Sequence, residues 1–161
     1  QAYQKQYGSK FISVMPASLF GPNDNFDLQN SHFVPALIRK FHEAHKNGRD
    51  IVELWGTGKP RREIMHVDNA AQACVFLMNN YESIEPVNVG VGHDYTILDI
   101  ARIVARVTGF NGKIIFDETK PDGVMQKLLD STRITQLGWK PQIPLEEGLT
   151  KTYQWFKKNY G

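Results

Sequence analysis

Asn30-Ser31-His32 stands between a Gly21-Pro22 turn and a helix that opens with Pro35. It sets one ionisable imidazole in a loop of Asn, Asp, Gln and Ser, beside the unpaired N–H groups of a helix N-terminus. A histidine so placed can exchange protons near neutral pH; the alternative is a side chain that only neighbours the helix cap. The next chemistry-bearing group is Lys59-Pro60-Arg61-Arg62, the only dense basic spot before the C-terminal tail. Its cations suit a diphosphate better than a duplex, the alternative being solvated charge in a turn. The other histidines offer less. His66, in His66-Val67-Asp68, falls between a strand and a helix cap and is assigned to structure. His42 and His45 lie three apart on one helix without a third ligand, which favours exposed helical surface over a metal site.

These residues need elements to hold them. Lys10–Met15 reads as a buried strand stopped by Pro16, and Ala17–Ser31 as an irregular loop long enough to be functional. Phe33–Asn47 has helical apolar spacing and stops at Gly48. Ile51–Trp55 is a strand ending in the turn Gly56-Thr57-Gly58, and Arg62–Val67 a third extended segment. Asp68 is placed to cap a helix over Asn69–Asn80. Pro86–Val89 is strand-like, and Thr96 with Asp99 resembles a capping box for a helix ending at Thr108. Lys113–Phe116 is a strand, Asp117–Gly123 a polar loop, Lys127–Leu129 a further segment, and Thr132–Leu137 a short helix. Leu145–Tyr160 is amphipathic through Leu145, Leu149, Tyr153 and Phe156. Strands alternating with helices give an α/β class, but these strands are short and scattered, as in a small binding lobe.

The chain has 161 residues, 41% of them hydrophobic, enough for one sizeable core. Its 19 basic and 17 acidic residues leave a net charge of +2, without the basic stripe of a nucleic-acid binder. No stretch approaches the about 18 apolar residues needed to span a bilayer, so no membrane partner is expected. A single cysteine, Cys74, excludes an internal disulfide and fits a reducing cytoplasm. Its apolar run, Ala70–Met78, implies a buried thiol. Gln1–Gly8 looks like the last turns of a helix closed by a C-cap glycine. No glycine-rich dinucleotide motif precedes the His32 loop, so the sequence reads as the back half of an enzyme.

Several segments together resemble the extended short-chain dehydrogenase/reductases that modify sugar nucleotides: Met15–Pro22, Asn23–Phe26, Trp55–Gly58, Arg61–Glu63 and His66–Asp68. Within that class the chain resembles the GDP-L-fucose synthase family. The pieces that carry this are Gly-Pro-Asn-Asp-Asn-Phe (Gly21–Phe26), Asn-Ser-His (Asn30–His32) and Phe-Asp-Glu-Thr-Lys-Pro-Asp-Gly (Phe116–Gly123). Leu129–Arg133 and Tyr153–Phe156 add to them. The resemblance implies the C-terminal part of a Rossmann-type fold: mainly the small substrate-binding lobe, spanning 1–161, with one or two strands of the parallel sheet. The Gly-rich fingerprint, the catalytic Ser and Cys and the Tyr-x-x-x-Lys pair are then expected upstream of Gln1.

The reaction implied is conversion of GDP-4-keto-6-deoxy-D-mannose to GDP-L-fucose, by epimerisation at carbons 3 and 5 and then NADPH-dependent reduction of the 4-keto group. His32 is implied as the acid that returns a proton. Pro16, Ala17, Ser18 and Leu19, with His32, are implied at the NADPH nicotinamide; Ser18 stands where the family commonly has Asn. Lys40, Trp55, Arg62 and Asp122 match GDP-sugar-binding positions, and Lys127 is a further phosphate candidate. Arg62 has the clearest physical logic, since a guanidinium forks onto diphosphate oxygens. Lys40, where bacterial relatives often carry Arg, keeps the charge without the fork. Trp55 can pack on sugar or base or close the core, and Asp122 can accept from ribose or base or serve an ordinary Pro-Asp-Gly turn. The segment Val124-Met125-Gln126 departs from the family's usual Pro-Arg.

The alternatives are another NAD(P)-dependent nucleotide-sugar epimerase or dehydratase acting on a UDP- or dTDP-sugar, and a non-catalytic nucleotide-sugar-binding module. The resemblance also implies a homodimer for the whole enzyme, through helices this chain mostly lacks, and no turnover by this part alone. An open face on Lys10–Met15 and on the apolar side of Phe33–Phe41 implies self-association of the isolated chain.

Overall fold

A computed structural model describes residues 1–161. The chain runs α1 (Ala2–Tyr7), β1 (Val14–Pro16), β2 (Ser18–Phe20), α2 (Phe33–Lys46), β3 (Ile51–Trp55), β4 (Arg61–Arg62), β5 (Ile64–His66) and α3 (Val67–Asn80). It continues through β6 (Val87–Val89), β7 (Tyr95–Thr96), α4 (Ile97–Thr108), β8 (Lys113–Asp117), β9 (Gln126–Lys127), α5 (Thr132–Gln136) and α6 (Leu145–Tyr160). The strands form three parallel pairs, β1 with β6, β2 with β5 and β3 with β8. A small sheet, β7-β4-β9, adds one antiparallel and one parallel pairing.

Two apolar clusters hold these pieces. The larger gathers α2, β3, α4 and α6 around Ile38, Phe41, Leu54, Ile100, Val104, Leu149 and Phe156. The smaller packs α3 on β6 and α5 through Ala73, Leu77, Val87, Val89, Ile134 and Trp139. α2 turns Val34, Leu37, Ile38 and Phe41 inward at helical spacing. The expected open face on Phe33–Phe41 is therefore corrected: α4 and α6 cover it. Exposed apolar surface does remain at the chain's start, on Tyr3, Tyr7, Phe11 and Met15.

The extended segments are shorter and placed differently from the expectation. Only Val14–Pro16 of the first run pairs, and Pro16 lies inside the strand, where its missing N–H costs nothing at an edge. Ala17 N–H continues the ladder to Val89 O at 2.9 Å. The expected loop then begins with β2, because Ser18–Phe20 finds a partner far along the chain in Ile64–His66. Arg62–Val67 is two strands interrupted by the buried Glu63. Its carboxylate accepts the N–H groups of Gly92 and Leu129, each at 2.9 Å.

Caps explain two helix starts. The Thr96–Asp99 box forms, with Thr96 Oγ1 accepting the Asp99 N–H at 3.0 Å, and Gly109 closes α4 in the left-handed conformation. α3 starts earlier than expected, and its cap is the His66 imidazole: Nδ1 accepts the Asp68 N–H at 3.3 Å, leaving Asp68 in the first turn. The inward stripe of α3 is Ala70, Ala73 and Leu77. Cys74 falls beside that stripe and is exposed, which corrects the buried-thiol expectation.

Candidate functional site

Three clefts lie next to one another, and each takes up a different set of the expected site residues. The first, about 430 Å³, is lined by Ser18–Asp24, by His32, Phe33 and Val34 at the start of α2, and by Val67. Its polar loop is held by its own side chains. Asp27 Oδ1 accepts the N–H groups of Gln29 and Asn30, each at 3.0 Å, and Asn25 Oδ1 accepts that of Asp27 at 2.9 Å. Phe26 plugs the loop into the core against Trp155, Phe156 and Tyr160, and Arg39 Nη1 donates to the Phe26 carbonyl at 3.1 Å. Gly21 belongs to the same wall, where a β-carbon would press on Val67 at 2.5 Å.

His32 caps α2 with its backbone only, its carbonyl accepting the Ala36 N–H at 3.1 Å. Its side chain makes no cap hydrogen bond and stands exposed at the cleft. The imidazole is thus available to a bound molecule, with Asn23 and Asp24 across the opening.

The second cleft, about 290 Å³, is lined by Lys40, Trp55, Arg62 and Asp122, which reach it from α2, the end of β3, β4 and the loop after β8. Phe33 belongs to both clefts and forms the wall between them. Lys40 is half-buried and has no ion pair or hydrogen bond within the protein. Trp55 is 69% exposed, so it does not close the core; Lys120 Nζ lies over its ring at 5.8 Å. Arg62 Nη1 donates to the Arg61 carbonyl at 2.7 Å and to that of Val124, which ties the 118–125 segment to β4. No protein acceptor engages its other guanidinium nitrogens. Asp122 takes two hydrogen bonds from Thr57, and these hold its carboxyl below the usual carboxylate range.

The third cleft, about 330 Å³, runs along Pro16, Ala17 and Ser18 to Lys127 and Leu129, with Glu63 in its wall. Ser18 joins it to the first cleft. Lys127 therefore lines the cleft of Pro16, Ala17 and Ser18 rather than that of Lys40, Trp55 and Asp122, although it pairs directly with Arg62 across β4 and β9. Leu19 points into the first cleft and Pro16 and Ala17 into the third.

The remaining histidines divide differently. His66 is 2% exposed, and burial pushes its pKa down, with the Asp68 carboxylate opposing. His42 is half-buried against α6: Nδ1 lies 3.1 Å from Tyr153 Oη and the ring packs edge-on to Phe156. That corrects the expectation of exposed surface for His42, while His45 is exposed. No three metal-ligating side chains come together. Thr57, Glu63 and Asp94 escaped the reading of the sequence. Asp94, nearly buried, receives Arg61 Nε at 2.7 Å and Gln126 Nε2 at 2.6 Å, which pulls β4 and β9 together. Arg61, counted among the phosphate-binding cations by composition, is committed to this ion pair.

Short parallel strand pairs feeding helices, with clefts at the strand ends, define an α/β unit of Rossmann type. Residues 1–92 match the NAD dependent epimerase/dehydratase family, and the chain belongs to it. It is 52% identical to GDP-L-fucose synthase 1 of Arabidopsis thaliana over 159 residues, covering 99% of this chain and 49% of the relative. To the GDP-L-fucose synthase of Escherichia coli K12 it is 46% identical over 168 residues, covering 99% and 52%. A crystal structure of a GDP-L-fucose synthetase from Naegleria fowleri bound to NADP aligns at a TM-score of 0.90 and 32% identity, covering 99% of this chain and 51% of that one. The chain spans about half the length of the curated relatives it matches. No helix is long and apolar enough to cross a membrane.

Proposed function

We propose that residues 1–161 are the substrate-binding C-terminal half of a GDP-L-fucose synthase, the part that holds the GDP-sugar. The observation that carries this reading is the convergence of Lys40, Trp55, Arg62 and Asp122 on one cleft next to His32. Two cations, an exposed indole and an ionised acceptor match the parts of a nucleoside diphosphate: phosphates for Lys40 and Arg62, a flat ring or sugar for Trp55, and a donor group for Asp122. Similarity to GDP-L-fucose synthases of plants and bacteria supports guanine as the base.

In this reading the 4-keto-sugar reaches past Phe33 into the first cleft. His32 then donates its imidazole N–H proton to carbon 3 or 5 after a base has removed the original proton from the other face. The cleft also fits the nicotinamide end of NADPH, since the Ser18–Leu19 strand end leaves Leu19 exposed beside an unpartnered imidazole. Ser18, Leu19 and His32 would hold that end, with Pro16 and Ala17 behind them. Bound there, NADPH supplies the hydride for the 4-keto carbon. Lys127, the partner of Arg62 across β4 and β9, serves as a further phosphate contact. The same reading makes the whole enzyme a cytoplasmic homodimer, and makes the exposed Tyr3, Tyr7, Phe11 and Met15 a site of self-association when this half stands alone.

Calorimetric titration with GDP, GDP-fucose, UDP and dTDP tests the proposal. Selective binding of the guanine compounds supports it. Preference for UDP or dTDP reassigns the chain to another nucleotide-sugar epimerase or dehydratase.

A further inference from the structure

The turn after β3 does more than end a strand. Thr57 donates its N–H to Asp122 Oδ1 at 2.8 Å and its hydroxyl to Oδ2 at 2.6 Å, across 65 residues of sequence. Gly56, at φ +80°, makes the approach possible, because a β-carbon there would collide with Oδ1. Two donors of one residue on two oxygens fix the carboxylate plane, and each oxygen retains a further lone pair.

This arrangement has a cost unless it is used. Lys59 and Arg62 lay positive charge on the carboxylate, and Lys40 adds another cation to the same cleft, which suits a polyanion. A carboxylate held ionised among them repels phosphate oxygens and weakens binding, unless it faces a part of the ligand that carries hydrogen-bond donors. Holding the 118–125 segment does not require it. Arg62 already bonds the Val124 carbonyl, Asp117 accepts the Thr119 N–H at 3.0 Å, and Lys120 lies over Trp55.

We propose that Thr57 is a positioning residue of this cleft: it holds the Asp122 carboxylate to accept from an N–H or O–H donor on the nucleoside of a bound nucleoside diphosphate. The inference rests on the reading of the cleft under Proposed function. Thr57 does not touch the ligand; it acts through Asp122.

The test uses Thr57→Val, which keeps the backbone bond and removes the hydroxyl, with Thr57→Ser as the conservative variant. GDP is titrated by calorimetry from pH 8 down to the acid limit of folding, alongside thermal melts. Thr57→Val is expected to bind GDP about tenfold more weakly, the worth of one well-aimed hydrogen bond to a charged group. Thr57→Ser is expected to restore affinity to within about twofold of the wild type. The pH profile separates positioning from simple packing. The carboxylate must be ionised to accept, so affinity falls as pH drops through its pKa, which the Thr57 hydroxyl holds below 3.8. Without that hydroxyl the pKa rises, and the loss of affinity begins at a higher pH. Wild-type affinity and an unmoved acid limb in Thr57→Val would overturn the inference, as would a Thr57→Ser variant no better than Thr57→Val. Failure of the wild-type chain to bind GDP overturns the underlying reading instead.

Discussion

Replacing Lys40 with Met separates binding from folding more cleanly than any other change in the cleft. Its ammonium bonds to nothing in the protein, while its stem lies in the cleft wall with Phe33, Ala36 and Leu37. Met preserves most of that stem, so thermal stability should change by less than about 1 kcal/mol. The ligand loses one charge-assisted hydrogen bond to a phosphate, worth about 1.5–3 kcal/mol. That corresponds to a GDP affinity about 10- to 150-fold weaker. The contact is also electrostatic in a half-open cleft, so wild-type affinity should fall with salt more steeply than that of Lys40→Met. The assay is calorimetry with GDP at low and moderate ionic strength, with melts on both proteins. A Lys40→Met chain that binds GDP within twofold of the wild type at low salt refutes the assignment of this cation to the phosphates. Arg62 could not serve the same purpose, because its Nη1 also ties down the Val124 carbonyl and its loss would disturb the loop.

Phe26→Ala should cost about 3–5 kcal/mol, because Phe26 is 1% exposed and packs on three aromatic rings of α6, stacked on Trp155 and tilted against Phe156 and Tyr160; chemical denaturation measures it, and a loss under 1 kcal/mol would show that the loop does not depend on this plug. Cys74 should react with a small disulfide reagent in the native protein at the rate of an exposed thiol, whereas protection until unfolding would return it to the core. Burial lowers the pKa of His66 and of His42 from 6.5, so the unfolded chain binds more protons below that value. Stability should then be fully present above about pH 6.5 and decline as pH falls through the window beneath it. Flat melting temperatures from pH 8 to pH 5 would contradict that.

Some of this was legible in the residues and some was not, for physical reasons. Helices were readable where local signals agree: Thr96 and Asp99 state a cap, Gly109 states a stop, and the Leu37, Ile38 and Phe41 spacing states a buried face. Strand limits were not, because Pro16 and Ser18–Phe20 become extended only by pairing with Val89 and Ile64–His66, far away in sequence. The start of α3 was misread because the cap is an imidazole, and an acid two residues on, Asp68, looked like the better capping residue. Cys74 went astray because an apolar run does not say which side of the helix faces inward. Within the cleft, resemblance named Lys40, Trp55, Arg62 and Asp122, yet nothing local separates Arg61 from Arg62. Their fates part only when Asp94, from 33 residues on, claims the first. Thr57 was invisible for the same reason, since its partner is a loop residue of distant sequence; the paired glycines around it were the one available signal.

The most direct measurement is a nuclear magnetic resonance titration of the labelled chain with GDP, following the Trp55 indole N–H and the backbone signals of Lys40, Arg62 and Asp122. The account predicts saturable shifts concentrated on these residues and on Phe33, with UDP producing weaker ones. Saturable GDP shifts that leave the Trp55 indole and Asp122 unmoved and gather elsewhere would contradict it.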